Sequence, residues 1–229
     1  AANIDDGACM AIVLGCTDSL ALNFDPLANT DDSTCCGAGI SLPPFGTQIG
    51  NDIDGEASGD LSGYSVSMSS DGNTVAIGAP GNGGNGTSSG HVRIYENIGG
   101  NWSQKGQDMD SEASYDQSGK SVSLSSDGNT VAIGAPNNLQ FGQNGGGTES
   151  GHVRIYDWDG TSWNQIGQDI DGEAAYDNSA RAVSLSNDGN TVAIGAVSND
   201  GNGTDAGHVR IFENINNNWV QIGQDIDGE

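Results

Sequence analysis

The alternation of apolar and polar positions is the first order visible along this chain. Residues 65–79 read Ser-Val-Ser-Met, a polar Ser-Ser-Asp-Gly-Asn, then Thr-Val-Ala-Ile-Gly-Ala. A period of two predicts strands over residues 65–69 and 74–79. Ser70-Asp71-Gly72-Asn73 between them is a tight-turn signal. In the second strand Val75, Ile77 and Ala79 share one face, while Ala76, Gly78 and Pro80 share the other. Small residues on that second face allow a neighbouring sheet to approach closely. After a Gly/Asn-rich loop, residues 90–95 predict a third strand, and residues 102–109 a fourth that closes the unit.

The whole phrase recurs. Residues 65–80 read SVSMSSDGNTVAIGAP, residues 121–136 SVSLSSDGNTVAIGAP and residues 182–197 AVSLSNDGNTVAIGAV, at offsets of 56 and 61. GHVRIYEN starts at Gly90, GHVRIYDW at Gly151 and GHVRIFEN at Gly207; each leads to a Trp and a variant of QIGQDIDGE. Such a period describes a modular array whose units bury their faces only against neighbours. Four strands in about 56 residues fit one propeller-type blade. The expected fold is all-β. Tandem four-stranded blades occupy 48–103, 104–164 and 165–220 within an array at 45–229, with the starting strand of a fourth. A small disulfide-rich module precedes them at 1–44. Closed propellers use about four to eight blades. Three therefore imply either further blades or open edges that pair with other subunits or with the next stretch of a longer chain, as in a filament. Residues 2–9 read as the tail of one unit and residues 221–229 as the opening of another, so a longer polypeptide is expected.

Composition narrows the partners. Gly is abundant (37 of 229 residues), the formal charge is −25, and the cations are Lys105, Lys120, Arg93, Arg154, Arg181 and Arg210. Phosphate binding needs clustered Lys and Arg, so nucleic acid is excluded as a partner. No stretch approaches the roughly 20 apolar residues of a membrane-spanning helix. An acidic excess of this size repels itself unless cations screen or bind it, and calcium is the natural candidate.

The most repeated acidic motif is D-x-D-x-E: Asp52/Asp54/Glu56, Asp108/Asp110/Glu112, Asp169/Asp171/Glu173 and Asp225/Asp227/Glu229. In an extended segment all three carboxylates share a face and repel unless a cation sits among them. Asp60, Asp116 and Asp177 follow at a constant offset, placed to complete a shell; the other reading of the motif is a solvated acidic rim. His91, His152 and His208 each occupy the same slot, with an Arg two residues on along the same face. A residue repeated in every unit reads as scaffold, as do Trp102, Trp163 and Trp219, expected to pack between blades. No Ser/His/Asp, Cys/His or paired-acid constellation rises above the repeats, so no enzymatic activity is expected. Sequons occur at Asn85, Asn101 and Asn202. The second repeat carries an inserted loop with Leu139 and Phe141, read either as a contact surface or as tucked onto the blade edge.

Cys9, Cys16, Cys35 and Cys36 all precede the array. An even count in a small acidic segment favours disulfides and an oxidising compartment, with Cys16–Cys35 and Cys9–Cys36 the expected pairs of three connectivities. Zinc is the competing reading, though the spacing lacks the usual Cys-x₂₋₄-Cys knuckle. Asp18, Asp25, Asp31 and Asp32, with Asn23 and Asn29, give an oxygen density suited to calcium or, equally, to turns. GCTDSLALNFDPLANTDDSTC at residues 15–35 resembles tandem cysteine modules of large surface and secreted proteins of marine microbes. It departs at Leu22, where many copies carry a third Cys.

Gly63-Tyr64-Ser65-Val66, then Ile77-Gly78-Ala79-Pro80 and Gly90-x-Val92-x-Ile94-Tyr95, resemble the FG-GAP repeat of integrin alpha-subunit propellers. The likeness recurs in every copy. Family members often carry a D-x-D/N-x-D-G calcium loop between the first two strands; here that hairpin reads Ser-Ser-Asp-Gly-Asn, and calcium does not transfer to it. Two function classes remain. One is a non-enzymatic extracellular structural or adhesive module, associating with copies of itself, with adjacent repeats, or with a cell-surface protein or glycan. The other is a ligand-binding propeller of lectin-like or integrin-like type.

Overall fold

The structure, a computed structural model, describes residues 14–15, 26–28, 30–31, 48–137 and 150–229. The chain divides into two compact units, Ala1–Ile49 and Gly50–Glu229. In the first, β1 (Leu14–Gly15) and β2 (Thr30–Asp31) form a short parallel ladder. Cys9, Cys16, Cys35 and Cys36, with Asp18, Asp25 and Asp32, lie outside the described residues. So do Leu139 and Phe141.

The second unit is all-β among its described residues, and its three antiparallel sheets repeat one plan. The first sheet holds β3 (Ser65–Met68), β4 (Thr74–Ala79), β5 (His91–Ile98), β6 (Asn101–Gln104) and β7 (Met109–Asp110). The second holds β8 (Ser121–Leu124), β9 (Thr130–Ala135), β10 (His152–Trp158), β11 (Trp163–Gln165) and β12 (Ile170–Asp171). The third holds β13 (Ser179–Leu185), β14 (Thr191–Ala196), β15 (His208–Asn214), β16 (Trp219–Gln221) and β17 (Ile226–Asp227). Four strands follow each other in order, and the short fifth pairs with the opposite end of the third. Among the described residues the sheets do not close into a ring.

The expected four-stranded unit is therefore corrected in one respect. Its closing strand breaks in two at Gly106, whose φ of +83° no extended strand adopts. A Cβ there would also meet Trp158 and Trp163 of the next blade at 2.6 and 2.8 Å. The break lets β6 and β7 pair with separate stretches of β5. Unit boundaries move accordingly. The D-x-D segments at 108–110, 169–171 and 225–227 each complete the sheet before them, and residues 226–227, expected to open a fourth unit, finish the third sheet.

Each hydrophobic core lies between two blades. One joins Ala76, Val92, Ile94 and Met109 of the first sheet to Val122, Leu124, Val131, Ile133 and Trp163 of the second. The other joins Val153, Ile155 and Ile170 to Leu185, Val192, Ile194, Phe212 and Trp219. Val122 and Leu124 are 9% and 7% exposed, whereas the equivalent Val66 and Met68, with no blade before them among the described residues, are 65% and 55% exposed. Full burial of such a side chain contributes about 1.5–3 kcal/mol.

The inner strands β3, β8 and β13 stand side by side, stitched by the serines of the Ser-Val-Ser motif. Ser65 Oγ donates to Gly119 O at 2.7 Å and Ser121 Oγ to Ala180 O at 2.8 Å. Ser67 and Ser123 Oγ accept from the Leu124 and Leu185 amides, each at 2.9 Å. The hairpin turns are self-contained: Asp71 takes Ser69 Oγ at 2.6 Å and the Asn73 amide at 3.0 Å. Those hydrogen bonds, Ser69 first, hold its pKa down to about 2.

This approach leaves no room at the glycine of Ile-Gly-Ala. A Cβ on Gly78 would lie 2.1 Å from Gly119 O, and one on Gly134 2.5 Å from Ala180 O; on Gly195 the nearest atom is 3.8 Å away. Gly134→Ala is expected to lose about 1–3 kcal/mol, as overpacking does. Gly195→Ala should stay within about 0.5 kcal/mol. Denaturant melts of both variants decide the matter, and equal losses would show that blade approach is not the limiting contact.

Candidate functional site

A charged cluster recurs where each third strand begins. His91 opens β5, facing Ala79 on one side and Asp110 on the other. Met109 enters the core, so Asp108 and Asp110 share the opposite face. Both reach His91: Nδ1 is 3.9 Å from Asp108 Oδ2 and 3.9 Å from Asp110 Oδ1. A third carboxylate arrives from the preceding triplet, with Glu56 Oε2 at 3.9 Å. Arg93 lies 3.6 Å from the other Glu56 oxygen and donates to Asp54 O at 3.0 Å.

The acids of one triplet thus divide between two blades. In the triplets at 108–112 and 169–173 the first two acids serve the sheet they close, and the glutamate passes to the next. In the third blade, His208 Nδ1 stands 3.9 Å from Glu173 and 3.8 Å from Asp225. Arg210 is 3.5 Å from Glu173 and donates to Asp171 O at 2.7 Å. Glu56/His91/Asp108 and Glu173/His208/Asp225 each offer one ligand atom per residue, all within 4.8 Å of one another.

The middle blade resolves the same charges differently. Arg154 turns onto Asp169, donating from Nε at 3.1 Å and from its terminal nitrogen at 2.9 Å, and also pairs with Glu112. Burial opposes the Arg154 charge, yet the Asp169 and Glu112 contacts outweigh it and raise its pKa. Burial would likewise raise Asp169, but the hydrogen bonds and charge of Arg154 hold it low. Asp171 is pushed up, by burial first and then by Asp169. His152 is pushed down to about 4, by burial first and then by Arg154.

Other sequence-predicted residues fall elsewhere. Asp60, Asp116 and Asp177 are buried, each held in a turn. Asp60 accepts from the Ala57 amide and from Asn82, and Asp177 from the Ala174 amide and Asn199. Asp52 and Asp54, both exposed, line a 250 Å³ cavity with Tyr95 and Trp102. Asp227 faces His208 across the sheet, Glu229 is exposed, and Asp31 lies in β2. Of the sequon residues, Asn85 donates to Ser111 O and Asn202 to Gly228 O, while Asn101 is exposed at the start of β6. Trp163 and Trp219 cap the preceding blade, their Nε1 groups donating to Lys105 O at 2.7 Å and Ile166 O at 3.0 Å. Repetition in every unit marks the histidines as scaffold, and nothing in their spacing places them beside acids. The missed signal is that His and Arg share a face with the D-x-D pair, which only the register of β5 with β7 reveals.

Residues 53–95 match the family model of the FG-GAP repeat. No curated protein matches the chain. Among solved structures it is similar to a putative 6-phosphogluconolactonase from Bacteroides uniformis ATCC 8492, at 15% identity and a TM-score of 0.45. That likeness covers 69% of this chain, which spans 39% of the other. Among the described residues no helix is long and apolar enough to cross a membrane.

A buried histidine held neutral must take up a proton on unfolding in acid. With its pKa lowered from 6.5 to about 4, His152 contributes stability that is present above pH 6.5 and lost as pH falls through about 4. The full amount is on the order of 3 kcal/mol. Denaturant unfolding at pH 7 and pH 4 should show His152→Gln losing less stability than the parent; identical losses would contradict the assignment.

Proposed function

We propose that this chain is a non-enzymatic, extracellular structural or adhesive repeat array, part of a larger surface protein or filament, whose blades are cemented by divalent cations. One observation carries the reading: the polar constellation of His, Arg and carboxylates recurs at each blade, its glutamate coming every time from the preceding acidic triplet and, at the second and third blades, crossing from the sheet before. A single active site would break that repetition; a joint between blades requires it. The match to the FG-GAP repeat and the charge of −25 support the same reading. Calcium suits the all-oxygen parts of the triplets. Disulfides Cys16–Cys35 and Cys9–Cys36 and glycans at Asn85, Asn101 and Asn202 belong to this extracellular reading.

Exposed Val66 and Met68 occupy positions that the second blade buries, and exposed Ile226 that of buried Met109 and Ile170. The two faces are the two halves of a blade contact. They support association with other copies or with adjacent repeats of a longer chain.

The test is thermal unfolding and electron microscopy in chelator and in millimolar calcium. A ligand at about 100 times its Kd stabilises by about 2.7 kcal/mol, which for this chain length raises Tm by roughly 5–10 °C. Chelation is expected to lower Tm by that amount and to loosen ordered assemblies. An unchanged Tm, with assemblies intact after exhaustive chelation, would leave the acids as a solvated surface.

A further inference from the structure

The histidine clusters say more about the cation, on the premise that divalent cations cement the blades. We infer that Glu56–His91–Asp108 and Glu173–His208–Asp225 are two sites for a borderline divalent metal of the zinc type, and that the middle blade carries the same cage with the Arg154 guanidinium in the metal's place.

Three observations converge. The first is the donor set. Each cluster draws one imidazole nitrogen and two carboxylate oxygens from three separate segments. Calcium takes six to eight oxygens, whereas zinc takes mixed nitrogen and oxygen donors in fours, often with water as the last. Asp110, also 3.9 Å from His91, is a further donor at the first site.

The second is the state of the imidazole. The His208 side chain is 1% exposed, and its Nε2 has no hydrogen-bond partner. Its Nδ1 points at the Glu173 and Asp225 oxygens from 3.9 and 3.8 Å, beyond hydrogen-bond reach. A buried polar ring without hydrogen bonds carries an uncompensated desolvation cost. A metal between Nδ1 and the two oxygens would give the ring a partner on that side, while Nε2 stays without one. Tetrahedral bonds of about 2.1 Å place ligand atoms roughly 3.4 Å apart. The histidine–carboxylate distances must contract by about half an ångström, within reach of carboxylate side chains such as those of Glu173 and Asp225, 45% and 31% exposed.

The third is the middle blade, an internal control. Its equivalent acids, Glu112 and Asp169, hold a cation already: both pair with Arg154. In the flanking blades the equivalent arginines donate to the backbone carbonyls Asp54 O and Asp171 O and touch the glutamate only through the oxygen that faces away from histidine, and Arg210 Nε is left without a partner. The same cage thus holds a guanidinium on both its acids in one blade, whereas in the other two the arginine reaches only the second oxygen of the glutamate, at 3.6 and 3.5 Å, and pairs with no aspartate among the described residues.

The experiment is titration of the metal-stripped chain with zinc chloride by calorimetry near pH 7, with calcium chloride in parallel. Cobalt(II) absorption reports the coordination geometry. Two zinc ions per chain are expected, with tetrahedral cobalt bands. Arg154→Ala should add a third. His91→Gln with His208→Gln should abolish tight zinc binding and the cobalt bands. Glu56→Gln with Glu173→Gln, on half-exposed side chains that folding tolerates, should weaken zinc at least tenfold with unchanged circular dichroism. Zinc binding that ignores both pairs of substitutions, or a stoichiometry that Arg154→Ala leaves unchanged, would overturn the proposal. Stabilisation by calcium alone, indifferent to the histidines, would overturn it and leave the cation-cemented joint standing. Binding of neither ion would remove both.

Discussion

The close approach of one blade to the next is the constraint on which the rest of this structure depends. No sheet here buries a hydrophobic face by itself; both cores are built half from one blade and half from its neighbour. That contact demands a residue without a side chain where Gly78 meets Gly119 O and Gly134 meets Ala180 O. It also demands partners for the polar atoms trapped at the seam, which Ser65, Ser67, Ser121 and Ser123 supply. The most repeated letters in the sequence are those that touch the next blade.

Approach has an electrostatic consequence. Bringing blades together carries the glutamate of one triplet onto the His–Arg–Asp group of the following sheet, inside a chain with 31 acids and six basic residues. The middle joint neutralises that gathering with Arg154. Lys105 also bridges the first two blades: its ammonium lies 5.4 and 5.5 Å from the Trp158 and Trp163 rings and donates to Gly128 O and Asn129. Burial lowers the Lys105 pKa, the mark of a charge taken out of water to sit at the seam. At the matching positions, 166 and 222, the chain has isoleucine. Cations thus stand at the joints, and where Arg93 and Arg210 reach only one glutamate oxygen and a backbone carbonyl, the carboxylates gather around histidine.

Much of the fold was legible in the residues. The hairpin of Ser-Val-Ser-Met and Thr-Val-Ala-Ile-Gly-Ala folds as its alternation implies, because its turn is stabilised within five residues by Asp71. The period of the phrase carried the repeat architecture, since identical text must make identical sheets. The break at Gly106 was not legible. A lone glycine in a strand-like run reads as a weak strand, and only the Trp163 ring of the following blade explains why it turns.

The candidate site divides along the same line. The sequence by itself determined that carboxylates recur in threes at the blade period and that each histidine travels with an arginine, because composition and spacing are properties of the chain alone. Only the tertiary structure decided which acids meet. Alternation correctly puts Asp108 and Asp110 on one face, yet Glu112 belongs to the next blade and Asp60, Asp116 and Asp177 turn inward as staples. Three nearly identical repeats also hold their arginines in two arrangements, one on Asp169 and two on backbone carbonyls. The physical reason is range. Strand periodicity and turns are set by neighbours a few residues away, whereas a charge cluster is set by side chains some 17 to 52 residues apart, such as Glu56, His91 and Asp108, brought together only when blades pack.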